Sequence, residues 1–194
     1  MFVLKKYPNI LCFLFFISLT SCGNKIDFTS QKKSTDSLKN ELTIAYKQFN
    51  TMDSVKINSA YKQINELFSF INPRIKDTIS RDEASALSEF KNISKAFKKY
   101  TRTKKDLERY YKFNVTQLEN LSFDLEKGNF DNKDTVSKYY NQEVNANAQL
   151  LTMMKLHSQI IPQKLKKYDS LFPVVLAFAR KLNEGKTPTS LEKK

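Results

Sequence analysis

Positions 90, 93, 97, 100, 104, 107, 111, 114, 118, 121 and 125 carry Phe, Ile, Phe, Tyr, Lys, Leu, Tyr, Asn, Leu, Leu and Leu, an alternating spacing of three and four. Nine of the eleven are apolar. Because an α-helix turns every 3.6 residues, this spacing holds one narrow stripe on one side, and a stripe of that length is buried only against another long helix. Gly128 follows as a natural helix terminator, and Asp131 or Asp134 is placed to cap what comes next. The rhythm then returns through Val136, Tyr140, Leu150, Met154, Ile161, Tyr168, Leu171, Val175, Phe178 and Leu182. The two limbs predict an antiparallel coiled-coil hairpin of about 46 residues per limb, roughly 69 Å long. Pro162 and Pro173 leave the register of the returning limb intact, so kinks or short re-capped helices are expected there. Gly185 ends the pattern.

Upstream, Leu38, Leu42, Ala45, Phe49 and Met52 form one helical register, and Ile57, Tyr61, Ile64, Phe68, Ile71 and Ile75 form another. The phase jump predicts a break around Asn50 to Ser54. Asn72-Pro73 marks a boundary, since proline disfavours helical geometry in the residue before it. Ser80-Arg81-Asp82-Glu83 reads as a capping box at the start of the long helix. With only three glycines and no tryptophan, the chain has little material for hairpin turns or phosphate-cradling loops. The expected fold is therefore all-α: an elongated antiparallel helical bundle or coiled-coil hairpin with a third, broken N-terminal helix. Tyr110, Phe113 and Phe123 lie outside the heptad seam and are expected to lie beneath that third helix.

The N-terminal residues say something different. Lys5-Lys6 precedes an apolar run from Ile10 to Leu19, which is too short to span a bilayer of roughly 30 Å and suits the core of a signal peptide. The run ends in Leu19-Thr20-Ser21-Cys22. This tetrad resembles the lipobox of bacterial lipoproteins, and the resemblance implies cleavage before Cys22 and attachment of diacylglycerol to its thiol. Residues 1–21 are then the signal peptide, 22–33 a flexible lipid-anchored tether, 34–184 the bundle domain and 185–194 a polar tail. Removing residues 1–21 takes two of the 33 basic side chains and none of the 20 acids, leaving a net charge of +11. Cys12 leaves with the signal peptide and Cys22 carries lipid, so no disulfide or thiolate metal site is expected in the mature domain. The expected location is the cell envelope, anchored to the outer membrane and facing the periplasm.

Five of the ten aspartates stand in Asp-Ser or Asp-Thr followed by an aliphatic residue, at Asp36, Asp53, Asp77, Asp134 and Asp169. One reading is helix initiation, with these short polar side chains capping free amides. The triplet also resembles the acceptor motif of general protein O-glycosylation in the Bacteroidota, which implies sugars on Ser37, Ser54, Thr78, Thr135 and Ser170. A second cluster is basic: Lys95, Lys98, Lys99, Arg102, Lys104 and Lys105 are expected at the height of Lys164, Lys166 and Lys167. Together they form a positive belt, either a solvated face or a contact for anionic lipid or lipopolysaccharide. Within the seam, Asn114 is expected opposite Glu143 or Asn147, and Lys104 near Met154 and His157. Such polar layers fix the register of paired helices, and the sharper alternative is a binding cavity at this level.

A single histidine, with no second histidine or cysteine to join it, cannot form a nitrogen- or sulfur-ligated metal site. The sequence carries no nucleophile elbow, paired catalytic carboxylates or glycine-rich phosphate loop, so neither catalysis nor a cofactor is expected. No nucleic-acid-binding motif is present. The reading is a structural or interaction protein of the envelope, a scaffold or spacer for another envelope protein. The alternative is a binding module for an anionic or amphipathic ligand. A scaffold of this kind predicts an exposed apolar or aromatic stripe left over after the helices pack.

Overall fold

The computed structural model describes residues 26–75 and 79–187 and contains four α-helices: α1 (Thr29–Asn50), α2 (Ser54–Ile71), α3 (Arg81–Lys127) and α4 (Lys133–Lys181). A short 3-10 turn, Asn72–Arg74, closes α2 where Pro73 stops it. Among the described residues there is no strand. The fold is an all-α helical bundle. Helices α3 and α4 form the antiparallel hairpin, and α1 and α2 lie end to end along one side of it, antiparallel to α3.

The heptad stripe is the seam. Phe90, Ile93, Phe97, Tyr100, Leu107, Asn114, Leu118, Leu121 and Leu125 of α3 are all buried, while Lys104 and Tyr111 are half-buried. From α4, Val136, Leu150, Met154, Ile161, Tyr168, Val175 and Phe178 meet them. With 47 residues in α3, the rod is about 70 Å long. Its capping box forms as the sequence demands: the Ser80 hydroxyl accepts from the Glu83 amide, and the Glu83 carboxylate accepts from the Ser80 amide at 2.9 Å. That amide bond, followed by the bond from Lys181, holds the Glu83 carboxyl below the usual carboxylate range. Gly128 ends α3 with φ +68°, the left-handed conformation that a Cβ disfavours.

Several expectations are corrected. The helical domain begins at Thr29 and not near Ser34, because Phe28 is buried against Leu121, Leu125 and Val136 and fixes the chain there. Its ring meets Phe130 edge-on at 6.0 Å. The part of residues 22–33 read as tether is thus partly helix. The cap of α4 is Asn132, which accepts from the Thr135 amide at 2.8 Å, and neither Asp131 nor Asp134 takes that role. Helix α4 runs unbroken through Pro162 and Pro173. Both rings lie on exposed positions, so the carbonyls they leave unbonded can face water, and Ile161, Tyr168 and Val175 hold the helix from its buried side.

Which side α1 and α2 take is set by a row the heptad reading overlooked. Ser94, Thr101, Glu108, Val115 and Ser122 recur every seven residues beside the seam. Ser94 donates to Asn65, Thr101 to Asn58 and Ser122 to Asp36. Small polar side chains here let α1 and α2 approach and supply their hydrogen bonds. Tyr111 stacks on Tyr46 at 3.8 Å in the same interface. Tyr110, Phe113 and Phe123 do not lie beneath the third helix; they are 50%, 60% and 57% exposed.

Candidate functional site

The open side of the hairpin is the unusual surface of this molecule. Beyond the seam of α3, Thr103 and Tyr110 form one row at heptad spacing, and Asp106 and Phe113 form the next. Across from them on α4 stand Ala146, Gln149 and Met153, with Leu107, Asn114 and Leu150 at the base. These residues enclose a groove of about 660 Å³. It stays open because Ala146 is too small to fill the space opposite two aromatic rings. The groove is edged by Arg109, which pairs with Asp106 at 3.1 Å and lies 5.2 Å over the Tyr110 ring. Down α4 the apolar row continues through Leu156 and Ile160, which are 41% and 37% exposed.

The expected polar layers are present, with altered partners. Asn114, Asn147 and His157 are buried. The Asn147 amide donates to the Glu143 carbonyl at 2.8 Å, but its own side-chain oxygen is buried without a partner. Burial pushes the Glu143 carboxyl up from its ordinary range. Lys104 does not reach His157; it pairs with Glu108 at 2.9 Å, on the side of α1. Thr103 takes its place, its hydroxyl 3.1 Å from the His157 Nε2. The imidazole packs against Phe49 and Tyr100, whose ring centroids lie 6.1 and 5.7 Å away. Burial, then the nearby Lys99 charge, pushes its pKa below 6.5. The Tyr100 hydroxyl is buried without a partner and is pushed up to about 12 by desolvation. The layer borders the groove, with Asn114 at its base and Thr103, the partner of His157, in its wall, while Asn147 and His157 stay buried behind them.

The basic belt divides in two. Lys164 and Lys167 both pair with Glu89, at 2.9 and 3.3 Å, which places them at the level of Glu89 and not of residues 95–105, and offsets one of their two charges. The Lys164 bond is the main reason the Glu89 carboxyl lies below its usual range. Lys166 is exposed. Among the described residues, Lys95, Lys98, Lys99, Arg102 and Lys105 enter no ion pair. They form a cationic ridge on the outward face of α3 alone.

The Asp-Ser and Asp-Thr sites are equally mixed. Asp53 caps α2, accepting from the Lys56 amide at 2.9 Å. Asp134 sits in the first turn of α4. Asp36 and Asp169 lie inside helices, contrary to the capping expectation: Asp36 accepts from Ser122 and Lys32, and Asp169 pairs with Lys56 at 2.9 Å. Their neighbours Ser37 and Ser170 are exposed, while Ser54 and Thr135 are half-buried at helix starts. Cys22 and Thr78 lie outside the described residues.

Among the described residues, no group of three His, Cys, Asp or Glu side chains is placed to hold a metal ion, and no helix is long and apolar enough to cross a membrane. Tyr110 and Phe113 were visible in the sequence but belong to the opposite face from the one expected. Met153, Leu156 and Ile160 were missed. The signal was there: 146, 149, 153, 156 and 160 repeat at three and four beside the 150, 154, 157 and 161 stripe, so α4 is apolar over a wider arc than its partners cover. Comparison with protein-family models, curated proteins and solved structures finds no match for the chain.

Proposed function

We propose that this protein is a non-catalytic, lipid-anchored helical scaffold of the bacterial cell envelope that holds another envelope protein against the open face of its hairpin. The observation that carries the reading is that face itself. Tyr110 and Phe113 are at least half exposed beside a groove of about 660 Å³, where a monomeric rod would place polar side chains. The lipobox-like Leu19-Thr20-Ser21-Cys22 supplies the anchor. Five residues separate Cys22 from Phe28, at most about 20 Å of chain. Phe28 packs at the Gly128 end of the rod, so that end stays close to the bilayer, at the outer membrane on its periplasmic side.

A second reading, a binding module for an anionic or amphipathic ligand, draws on the cationic ridge and on a groove volume within the range of ligand sites. If the rod stands upright on its anchor, Lys105 to Lys95 lie roughly 35 to 50 Å above the membrane, beyond a Debye length of about 8 Å. The ridge then cannot serve the anchoring membrane and faces a periplasmic partner. Of the glycosylation candidates, Ser37 and Ser170 offer exposed hydroxyls, and Ser54 and Thr135 lie beside helix caps.

Amine-reactive cross-linking in intact cells tests the scaffold reading, with mass spectrometry of the N-terminal peptide for diacylglycerol on Cys22. Reproducible links from α3 lysines to one envelope protein are expected, together with loss of the membrane-bound form in Cys22→Ala. An unmodified Cys22, or links confined to the chain itself, refutes it.

A further inference from the structure

We infer that the valley between α3 and α4 is the docking site of one acidic amphipathic helix from another protein. This rests on the scaffold reading and deepens it by giving the chemistry of the partner. The row of α4 from Ala146 to Ile160, apolar except for Gln149, is about 21 Å long, some four helical turns, and the empty side of the hairpin is where a fourth helix of a bundle would lie. The aromatic wall of Tyr110 and Phe113 offers large contact area at low cost in side-chain entropy.

Charge selects among occupants. Lys99, Arg102 and Arg109 follow the α3 edge of the valley for about 15 Å; Asp106, paired with Arg109, offsets one of the three charges, and the other acid of the stretch, Glu108, is paired with Lys104 on the α1 side. Helix α4 has no acid between Glu143 and Asp169. A helix with an apolar face and acids along one flank matches this edge over its whole length. A second copy of this chain does not: in an isologous pair the same cationic edge meets itself, and the chain without residues 1–21 carries a net charge of +11. A lipid places its charge at one end of its tails, whereas these three cations run parallel to the apolar row.

The test places a photoreactive benzoylphenylalanine in the full chain in its own cells, at Phe113, at Leu156 and, on the α1–α2 side, at Val55, which is 78% exposed. The expected result is that Phe113 and Leu156 both cross-link to the same protein, within a peptide that has apolar residues at three and four and acids on one flank. The yield falls about tenfold in the double variant Arg102→Glu/Arg109→Glu, a loss of roughly 1.4 kcal/mol in binding. It persists in Arg102→Lys/Arg109→Lys, with helicity unchanged in both. Groove adducts to lipid, to a second copy of this chain, or to no molecule at all overturn the assignment. Groove adducts to a protein segment that lacks this acidic, amphipathic pattern overturn this inference while the scaffold reading stands; protein adducts at Val55 alone, or none at all three positions, overturn both.

Discussion

Around α2 the hairpin seam is sealed: Ile57, Ile64, Leu67 and Ile71 meet Phe90, Ile93 and Phe97, all with no exposed surface, and Tyr168 closes the cluster while donating to Gln63. Around α1 the same seam is looser. Leu42, Ala45, Phe49 and Leu118 are buried, but Asn114, Asn147 and His157 interrupt them, and on the far side Tyr110 and Phe113 stay in water. One repeating pattern thus builds a half devoted to packing and a half that keeps large apolar side chains outside its own core. Aromatic rings left exposed beside buried asparagines are not a shortage of partners in sequence. The third helix is present at that level and lies on the other side.

The comparison breaks if the sealed half proves no more sensitive than the open one. Phe97→Ala is expected to lower the unfolding free energy by about 3–5 kcal/mol, because it leaves a cavity among side chains that cannot collapse. Denaturant titration of Phe97→Ala beside Phe113→Ser measures both halves at once. A smaller effect follows from Asn147, whose side-chain oxygen is buried and unpartnered. Asn147→Leu is expected to raise stability by about 1–2 kcal/mol, at the expense of the register information that a polar layer carries. A shift in denaturation midpoint, with oligomeric state followed by light scattering, reads out both consequences.

The pH dependence sharpens the boundary between the halves, where His157 sits. The unfolded chain takes up its proton near pH 6.5, while the folded imidazole resists protonation because it is buried and faces the Lys99 charge. The unfolded state therefore binds more protons below pH 6.5, and stability declines as pH falls through 6.5 until the folded imidazole also protonates. Thermal melts between pH 7.5 and 5.5 should show this slope in the native chain and not in His157→Gln. Glu143 acts with the opposite sign, since a raised carboxyl pKa favours the fold as pH falls toward 4.5, and that is why the difference between the two chains is the quantity to compare. The smallest effect is expected at the groove: Phe113→Ser should change stability by less than about 0.5 kcal/mol, since a half-exposed ring contributes little to the core. A larger loss would make the groove part of the packed structure.

Much of the architecture was legible in the residues. The stripe from Phe90 to Leu125, the Ser80 box, the stop at Gly128, the break at Asn50 to Ser54 and the end at Asn72-Pro73 all follow from local rules that act within a few residues. Local rules misread two places where distant contacts decide. Phe28 starts the helical domain early because residues nearly a hundred positions away bury it, and Asp36 turns from a cap into a partner for Ser122 by the same long-range approach.

The sequence by itself determined that this chain forms long helices, where α2 ends and where α3 begins and ends, and which stripe of the hairpin is buried, because helical periodicity and capping are properties of neighbours along the chain. Only the tertiary structure decided which side of the hairpin α1 and α2 cover. Both flanks of the seam carry material that a third helix could use, aromatic on one and small and polar on the other. The choice went to the flank of Ser94, Thr101 and Ser122, where backbones come close and hydrogen bonds to Asn65, Asn58 and Asp36 are completed. Tyr110 and Phe113 were thereby left to face outward.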